Sequence, residues 1–113
     1  MIDNIKIAEP LVSIIMTCFN SYNTLKDAIS SIINQSYQNW ELIFVDDGST
    51  DQSLKIVNQI LDNRIKIFSL DKNYGRGASY QKGLNEASGK FIMFLDSDDW
   101  WYSNKIVKQI DYL

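Results

Sequence analysis

The residues best suited to chemistry in this sequence are carboxylates in two short clusters. Asp46, Asp47 and Asp51 stand in the run Asp-Asp-Gly-Ser-Thr-Asp, and Asp96, Asp98 and Asp99 in Asp-Ser-Asp-Asp. Each cluster directly follows an apolar run, Glu41–Val45 in one case and Lys90–Leu95 in the other. Histidine is absent and Cys18 is the sole cysteine. That removes Ser-His-Asp and Cys-His catalysis, the usual zinc sites and an intramolecular disulfide. Cys18 closes an apolar run and reads as a buried, inert thiol. The chemistry left to this chain uses carboxylates, hydroxyls, backbone groups, lysine, arginine or a hard metal ion. Crowded carboxylates destabilise a fold unless something offsets their charge. A divalent cation with oxygen ligands does so, and Mg²⁺ usually takes one or two carboxylates together with phosphate oxygens. The simplest reading is a diphosphate bridged by a metal to acidic side chains. For Asp46 and Asp47 a bland reading stands beside it, because Asp-Gly is a turn signal and Asp a common cap. Three carboxylates within four residues, as at Asp96–Asp99, exceed what capping requires, and there the expectation is a metal or ligand role.

Positioning these clusters falls to an alternation of apolar runs and amphipathic segments. Leu11–Thr17, Glu41–Val45 and Lys90–Leu95 read as buried strands, and Arg64–Leu70 as a half-exposed strand nearer a sheet edge. Between them, Thr24–Gln35 carries Leu25, Ala28, Ile29, Ile32 and Ile33 at helical spacing, after a polar turn at Asn20–Asn23 that can cap it. A second helix is expected from an N-cap at Ser49 or Thr50 through Leu61, with Leu54, Val57, Ile60 and Leu61 inward. A weaker helix follows the Asp71–Gly77 loop to about Ala87, with Gly89 as its stop. A last helix starts near Asn104, with Ile106, Val107, Ile110 and Leu113 on one face. Near-continuous apolar strands alternating with helices predict an α/β fold with one parallel sheet, the first strand central and helices on both faces. Right-handed crossovers then place every strand C-terminus along one edge, where open α/β sheets bind ligands. Both acidic clusters fall on that edge.

Composition narrows the function further. The 113 residues suit one domain, and the net charge of −3 comes without any basic tract, so the electrostatic footprint of nucleic-acid binding is missing. No run approaches the roughly 20 apolar residues of a membrane span, and Met1–Pro10 lacks a signal-peptide core. These features point to a cytoplasmic domain, at the inner face of the membrane in a longer parent. The final helix has no stop signal before Leu113, and the expectation is an N-terminal fragment. Gly75-Arg-Gly77 lacks the third glycine of the dinucleotide fingerprint and does not follow the first strand, which argues against a nicotinamide site. Trp100, Trp101 and Tyr102 either join the core or wall the acidic site.

The segments VSIIMTCFNSYNTLKDAISSIINQSYQNWELIFVDDGSTD (Val12–Asp51) and NYGRGASYQKGLNEASGKFIMFLDSDD (Asn73–Asp99) together resemble the family 2 glycosyltransferases. The resemblance implies a GT-A (Rossmann-like) fold, here truncated, and inverting transfer of a sugar from a nucleotide-diphosphate donor, a UDP-sugar, to a hydroxyl of a glycan or glycolipid in cell-envelope polysaccharide synthesis. It implies that Asp47 contacts the nucleotide base, that Thr17 and Phe19 line the base pocket, that Asp96 lies near the ribose or metal, and that Asp98 holds Mg²⁺ or Mn²⁺ on the donor diphosphate. The acceptor half and its catalytic base would lie C-terminal to Asp99, so no catalytic residue is assigned here.

Departures from the family pattern are specific. Thr17 and Phe19 stand where Pro and Tyr are common, and Ser79-Tyr80-Gln81 where many members have Ala-Arg-Asn. Arg76 is expected to substitute for the lost arginine. Two other readings compete. One is a receiver-like Mg²⁺-binding signalling domain with Asp71 as phosphoacceptor, although its acidic pair would follow the wrong strand. The other is a catalytically inactive nucleotide-binding module.

Overall fold

β1 (Val12–Cys18) is buried along its whole length, as is β2 (Trp40–Asp46) beside it. Both are apolar on both faces, and such strands need helices above and below. The computed structural model describes residues 9–112. Their element order is β1, α1 (Leu25–Ile33), β2, α2 (Ser53–Asn58), β3 (Ile65–Ser69), α3 (Arg76–Glu86), β4 (Phe91–Phe94) and α4 (Lys105–Asp111). The sheet has four strands in the order β3-β2-β1-β4. Every pairing is parallel, with Val12 opposite both Trp40 and Phe91.

Side-chain alternation along β1 splits the core. Val12, Ile14, Met16 and Cys18 join Leu25, Ala28, Ile29 and Ile32 of α1, Val57 of α2 and Ile106 of α4 on one face. Ile15, with Ile43 and Val45 of β2, packs on the other face against Phe68, Leu70 and Tyr80. Gly83 of α3 fits there because a Cβ would stand 2.6 Å from the Ile15 side chain. Helices thus cover both faces, three on one and α3 on the other.

Several expectations about local structure are corrected. Lys90–Leu95 reads as a buried strand, yet β4 is an edge strand with Ile92 and Phe94 exposed. Its apolar run covers both faces, but only the face carrying Phe91 and Met93 meets the main core. The second helix is shorter than expected and begins later. Asp51 Oδ1, not Ser49 or Thr50, accepts from the Ser53 N–H at 2.9 Å, and Leu61 lies beyond the helix with 97% exposure. The polar turn before α1 supplies no side-chain cap, and the Thr24 hydroxyl donates instead to the Ser97 carbonyl at 2.9 Å. Gly89 is not a left-handed helix stop, since α3 ends at Glu86 with extended backbone at Ala87. It is needed for a close approach: a Cβ there would lie 2.6 Å from the Ser13 nitrogen and 2.8 Å from the Leu11 carbonyl oxygen. Ile106, Val107 and Ile110 pack inward as expected; Leu113 lies outside the described residues.

Candidate donor-binding site

The strand order reverses between β1 and β4, which makes that gap the sheet's topological switch point. A cavity of about 210 Å³ opens there, lined by Thr17, Cys18, Phe19, Ser21, Asp47, Arg76, Asp96, Ser97 and Asp98. All six residues singled out from the sequence stand on its wall. Cys18, read from the sequence as a buried thiol, also lines it, and Ser21 and Ser97 are additional, with no sequence signal beyond their positions in the strand-end loops.

The segments after β1, β2 and β4 form the wall together with Arg76 from the first turn of α3, and polar contacts hold them together. Asn20 adopts φ +53°, a left-handed conformation that asparagine tolerates. Its Oδ1 accepts from the N–H groups of Thr50 (2.8 Å) and Asp51 (3.2 Å), tying the loop after β1 to the loop after β2. The Ser21 and Ser97 hydroxyls lie 2.6 Å apart, tying the first loop to the loop after β4. Gly48, at φ +72°, lets the β2 loop pass under the β3 loop, because a Cβ would come within 2.4 Å of the Lys72 carbonyl carbon. Asp47 completes the link: its Oδ1 accepts from the Tyr74 N–H at 2.8 Å and its Oδ2 from the Gly75 N–H at 3.0 Å. Asp47 is buried, and a carboxylate has lone pairs to spare beyond these two bonds.

The acidic residues share an edge but do not form one cluster. Asp46 is buried, with Oδ2 accepting from the Ser49 N–H at 3.0 Å and Oδ1 without a partner among the described residues. Asp96 pairs with Arg76 at 2.8 Å and accepts from the Tyr80 hydroxyl at 3.1 Å. Asp99 Oδ1 accepts from the Trp100 N–H at 2.8 Å. Asp98 is exposed, and no ion pair involves it among the described residues. No group of three His, Cys, Asp or Glu side chains among the described residues is close enough to cage a metal ion. Both acidic clusters lie on the one edge, as the strand-end rule requires, but their side chains are spread among separate partners. Loop bonds engage Asp46 and Asp47, and the carboxylates on the cavity wall are Asp47, Asp96 and Asp98. Their donors are all hard oxygens, a set that fits Mg²⁺ or Mn²⁺ only if a ligand supplies further oxygens.

Cys18 lines the cavity but is a poor nucleophile. Burial pushes its thiol above the ordinary range, against the lowering by Ser53 and Ser21. The aromatic trio divides, and the core reading holds for Trp101 alone. Trp101 packs on the core, while Trp100 and Tyr102 are exposed and meet edge to face at 4.9 Å. None of the three lines the cavity.

The profile of glycosyl transferase family 2 matches residues 13–113. The chain belongs to that family. An uncharacterized glycosyltransferase of Haemophilus influenzae is 47% identical over 106 residues, which cover 92% of this chain and 42% of that protein. The Escherichia coli enzyme named UDP-Glc:alpha-D-GlcNAc-diphosphoundecaprenol beta-1,3-glucosyltransferase WfgD is 43% identical over 103 residues, 91% of this chain and 41% of its own length. Among solved structures, S. aureus TarS 1-349 in complex with UDP-GlcNAc superposes with a TM-score of 0.83 at 30% identity, covering 89% of this chain and 30% of that one. The chain thus spans less than half the length of these relatives. Its fold is that of GT-A glycosyltransferases. The receiver-like reading falls with this assignment, and Asp71, its supposed phosphoacceptor, accepts from the Tyr74 hydroxyl at 2.7 Å on an exposed loop.

Proposed function

We propose that this chain is the donor-binding part of an inverting glycosyltransferase that uses a UDP-sugar. The carrying observation is the single cavity at the switch point, which gathers Thr17, Phe19, Asp47, Arg76, Asp96 and Asp98. The relatives' names, which include a UDP-glucose-dependent enzyme and a structure with UDP-GlcNAc, support the donor class.

In this reading Thr17 and the half-exposed Phe19 wall the base, and Asp47 accepts a hydrogen bond from a ring N–H. The loop bonds to Tyr74 and Gly75 hold the Asp47 carboxylate in one orientation before the base arrives, so little reorganisation is needed on binding. Asp96 faces the ribose or metal, Asp98 is a metal ligand, and Arg76 reaches the diphosphate. A bound Mg²⁺ or Mn²⁺ supplies charge neutralisation and Lewis acidity to the departing diphosphate. The acceptor would be a glycan or glycolipid hydroxyl in envelope polysaccharide synthesis, in keeping with the diphosphoundecaprenol acceptor in one relative's name. No described helix is long and apolar enough to cross a membrane; we place the parent enzyme in the cytoplasm, at the membrane's inner face.

Equilibrium binding of UDP, CDP and ADP tests the base pocket. UDP should bind at least about tenfold more tightly than ADP, since a site built around a hydrogen bond discriminates by its loss. Equal affinity for all three, or binding of none, would overturn the donor assignment. An inactive module would bind UDP without supporting transfer in the full-length enzyme.

A further inference from the structure

Asp96 is held by one group on the cavity wall and one group behind it. Its Oδ1 accepts both from Arg76 Nη2 at 2.8 Å and from the Tyr80 hydroxyl at 3.1 Å, and Arg76 Nη2 is also 3.2 Å from that hydroxyl. The two partners differ in how firmly they are placed. Arg76 sits in the first turn of α3, and its side chain is 68% exposed. Tyr80 lies one turn further on, partly buried, with its ring packed edge to face on Phe94 at a centroid distance of 5.4 Å. Arg76 lines the cavity; Tyr80 does not.

A diphosphate in the cavity competes with Asp96 for the same guanidinium, because Arg76 is the cation on the cavity wall. Phosphate offers the fork of Arg more charge and more acceptor oxygens than one half-exposed carboxylate. If Arg76 turned to the diphosphate without replacement, Asp96 would lose its ion pair with Arg76 just when its other oxygen has to meet the ribose or metal. The Tyr80 hydroxyl prevents that, since its ring is anchored and its bond to Oδ1 does not depend on Arg76.

We propose that Tyr80 is a positioning residue that holds Asp96 while Arg76 transfers from Asp96 to the donor diphosphate. Resting on the donor reading above, this adds a hand-over that the reading does not require. Tyr80 acts through Asp96 and touches neither sugar nor nucleotide.

The test uses calorimetric binding of UDP and of uridine, both with Mn²⁺, to the native chain, Tyr80→Phe, Arg76→Ala and the double variant. Tyr80→Phe keeps the ring on Phe94, and its uridine affinity reports whether the base pocket is intact. Losing one hydrogen bond to a charged group corresponds to about a tenfold loss. Tyr80→Phe should therefore weaken UDP about tenfold while uridine changes less than about twofold. In the Arg76→Ala background Tyr80 is the side chain left holding Asp96, so adding Tyr80→Phe should weaken UDP there by about tenfold as well. A purely structural tyrosine would lower UDP and uridine together, and a tyrosine acting only through Arg76 would lose its effect in the Arg76→Ala background; either result overturns the proposal. Native-like UDP binding by Tyr80→Phe also overturns it, with the donor reading left standing. Failure of the native chain to bind UDP overturns both. Should Tyr80→Phe not fold, Tyr80→His keeps a ring with a donor N–H, and the same contrast between UDP and uridine decides.

Discussion

The two ends of the sheet treat carboxylates in opposite ways. At the N-terminal end, Glu41 of β2 is buried and fully engaged. It accepts from the Ser13 hydroxyl at 2.5 Å, the Ser88 N–H at 2.7 Å, the Ser88 hydroxyl at 3.0 Å and the Lys66 ammonium at 2.7 Å. Those bonds join β1, β2, β3 and the turn before β4 at one point. Burial by itself would raise the Glu41 pKa, but Lys66, Ser13 and Ser88 outweigh it and hold the carboxyl down at about 2. At the C-terminal end, Asp98 has no such company among the described residues, and Asp96 is held by an exposed arginine and one tyrosine hydroxyl. A carboxylate that serves structure is satisfied within the fold, whereas one kept for a ligand is left short of partners. Charge and strand-end position are common to both kinds; the difference lies in the completeness of the hydrogen bonding.

That contrast makes predictions that can break it. The largest effect belongs to Glu41→Ala, which strands Lys66, Ser13 and the Ser88 N–H. It should destabilise the fold by about 3 kcal/mol in denaturant titration, with UDP affinity in the surviving folded fraction unchanged. A loss below about 0.5 kcal/mol would mean that the network is ornamental. Next comes pH. Because the folded Glu41 pKa of about 2 lies below the ordinary value of 4.5, its contribution is complete above that ordinary value. It is lost as pH falls through the window down to about 2, as protons bind the unfolded chain first. The denaturation midpoint should drop across that window in the native chain and more shallowly in Glu41→Gln. Equal slopes would remove Glu41 from the account of acid stability.

Asp47 lies between the two kinds, as loop link and proposed base contact. Asp47→Ala would confound those roles by freeing the Tyr74 and Gly75 N–H groups, so Asp47→Asn is the sharper variant. The amide keeps one acceptor oxygen for the loop, and we expect about 1 kcal/mol of lost stability. UDP binding should weaken by about 1–3 kcal/mol, since the pocket loses its charged acceptor. Unchanged UDP affinity with a native-like melting curve would leave Asp47 as a loop link alone.

Much of this arrangement was legible in the sequence. The four strands, their parallel direction and the central place of β1 follow from apolar runs alternating with helical stripes. The strand-end rule then put both acidic clusters on one edge. β4 departs from its expected burial because Phe91–Phe94 is apolar at every position, and periodicity cannot tell a strand covered on both sides from an edge strand with one bare face. The second helix was drawn too long because Leu61 continues the apolar spacing past the last turn, where the backbone has already left the helix. Gly89 was read from its position after α3, but its reason is the passing backbone of β1, a contact across 76 residues that no local pattern encodes. For the same reason the Tyr80–Asp96 bond and the Glu41 network were invisible. Each joins residues far apart in sequence, and each residue type is unremarkable where it stands.

Asp98 carries the central claim, because it is the carboxylate on the cavity wall without a hydrogen bond or ion pair among the described residues. Removing its charge by Asp98→Asn should change stability by no more than about 0.5 kcal/mol, as for other exposed positions. The decisive measurement is calorimetric titration of UDP with and without Mn²⁺ on the native chain and on Asp98→Asn. A diphosphate-bridged metal predicts that Mn²⁺ tightens UDP binding to the native chain by about tenfold or more and that the variant loses this gain. If Mn²⁺ leaves the native affinity unchanged, or Asp98→Asn shows the same enhancement, Asp98 is not the metal ligand and the account fails at its central residue.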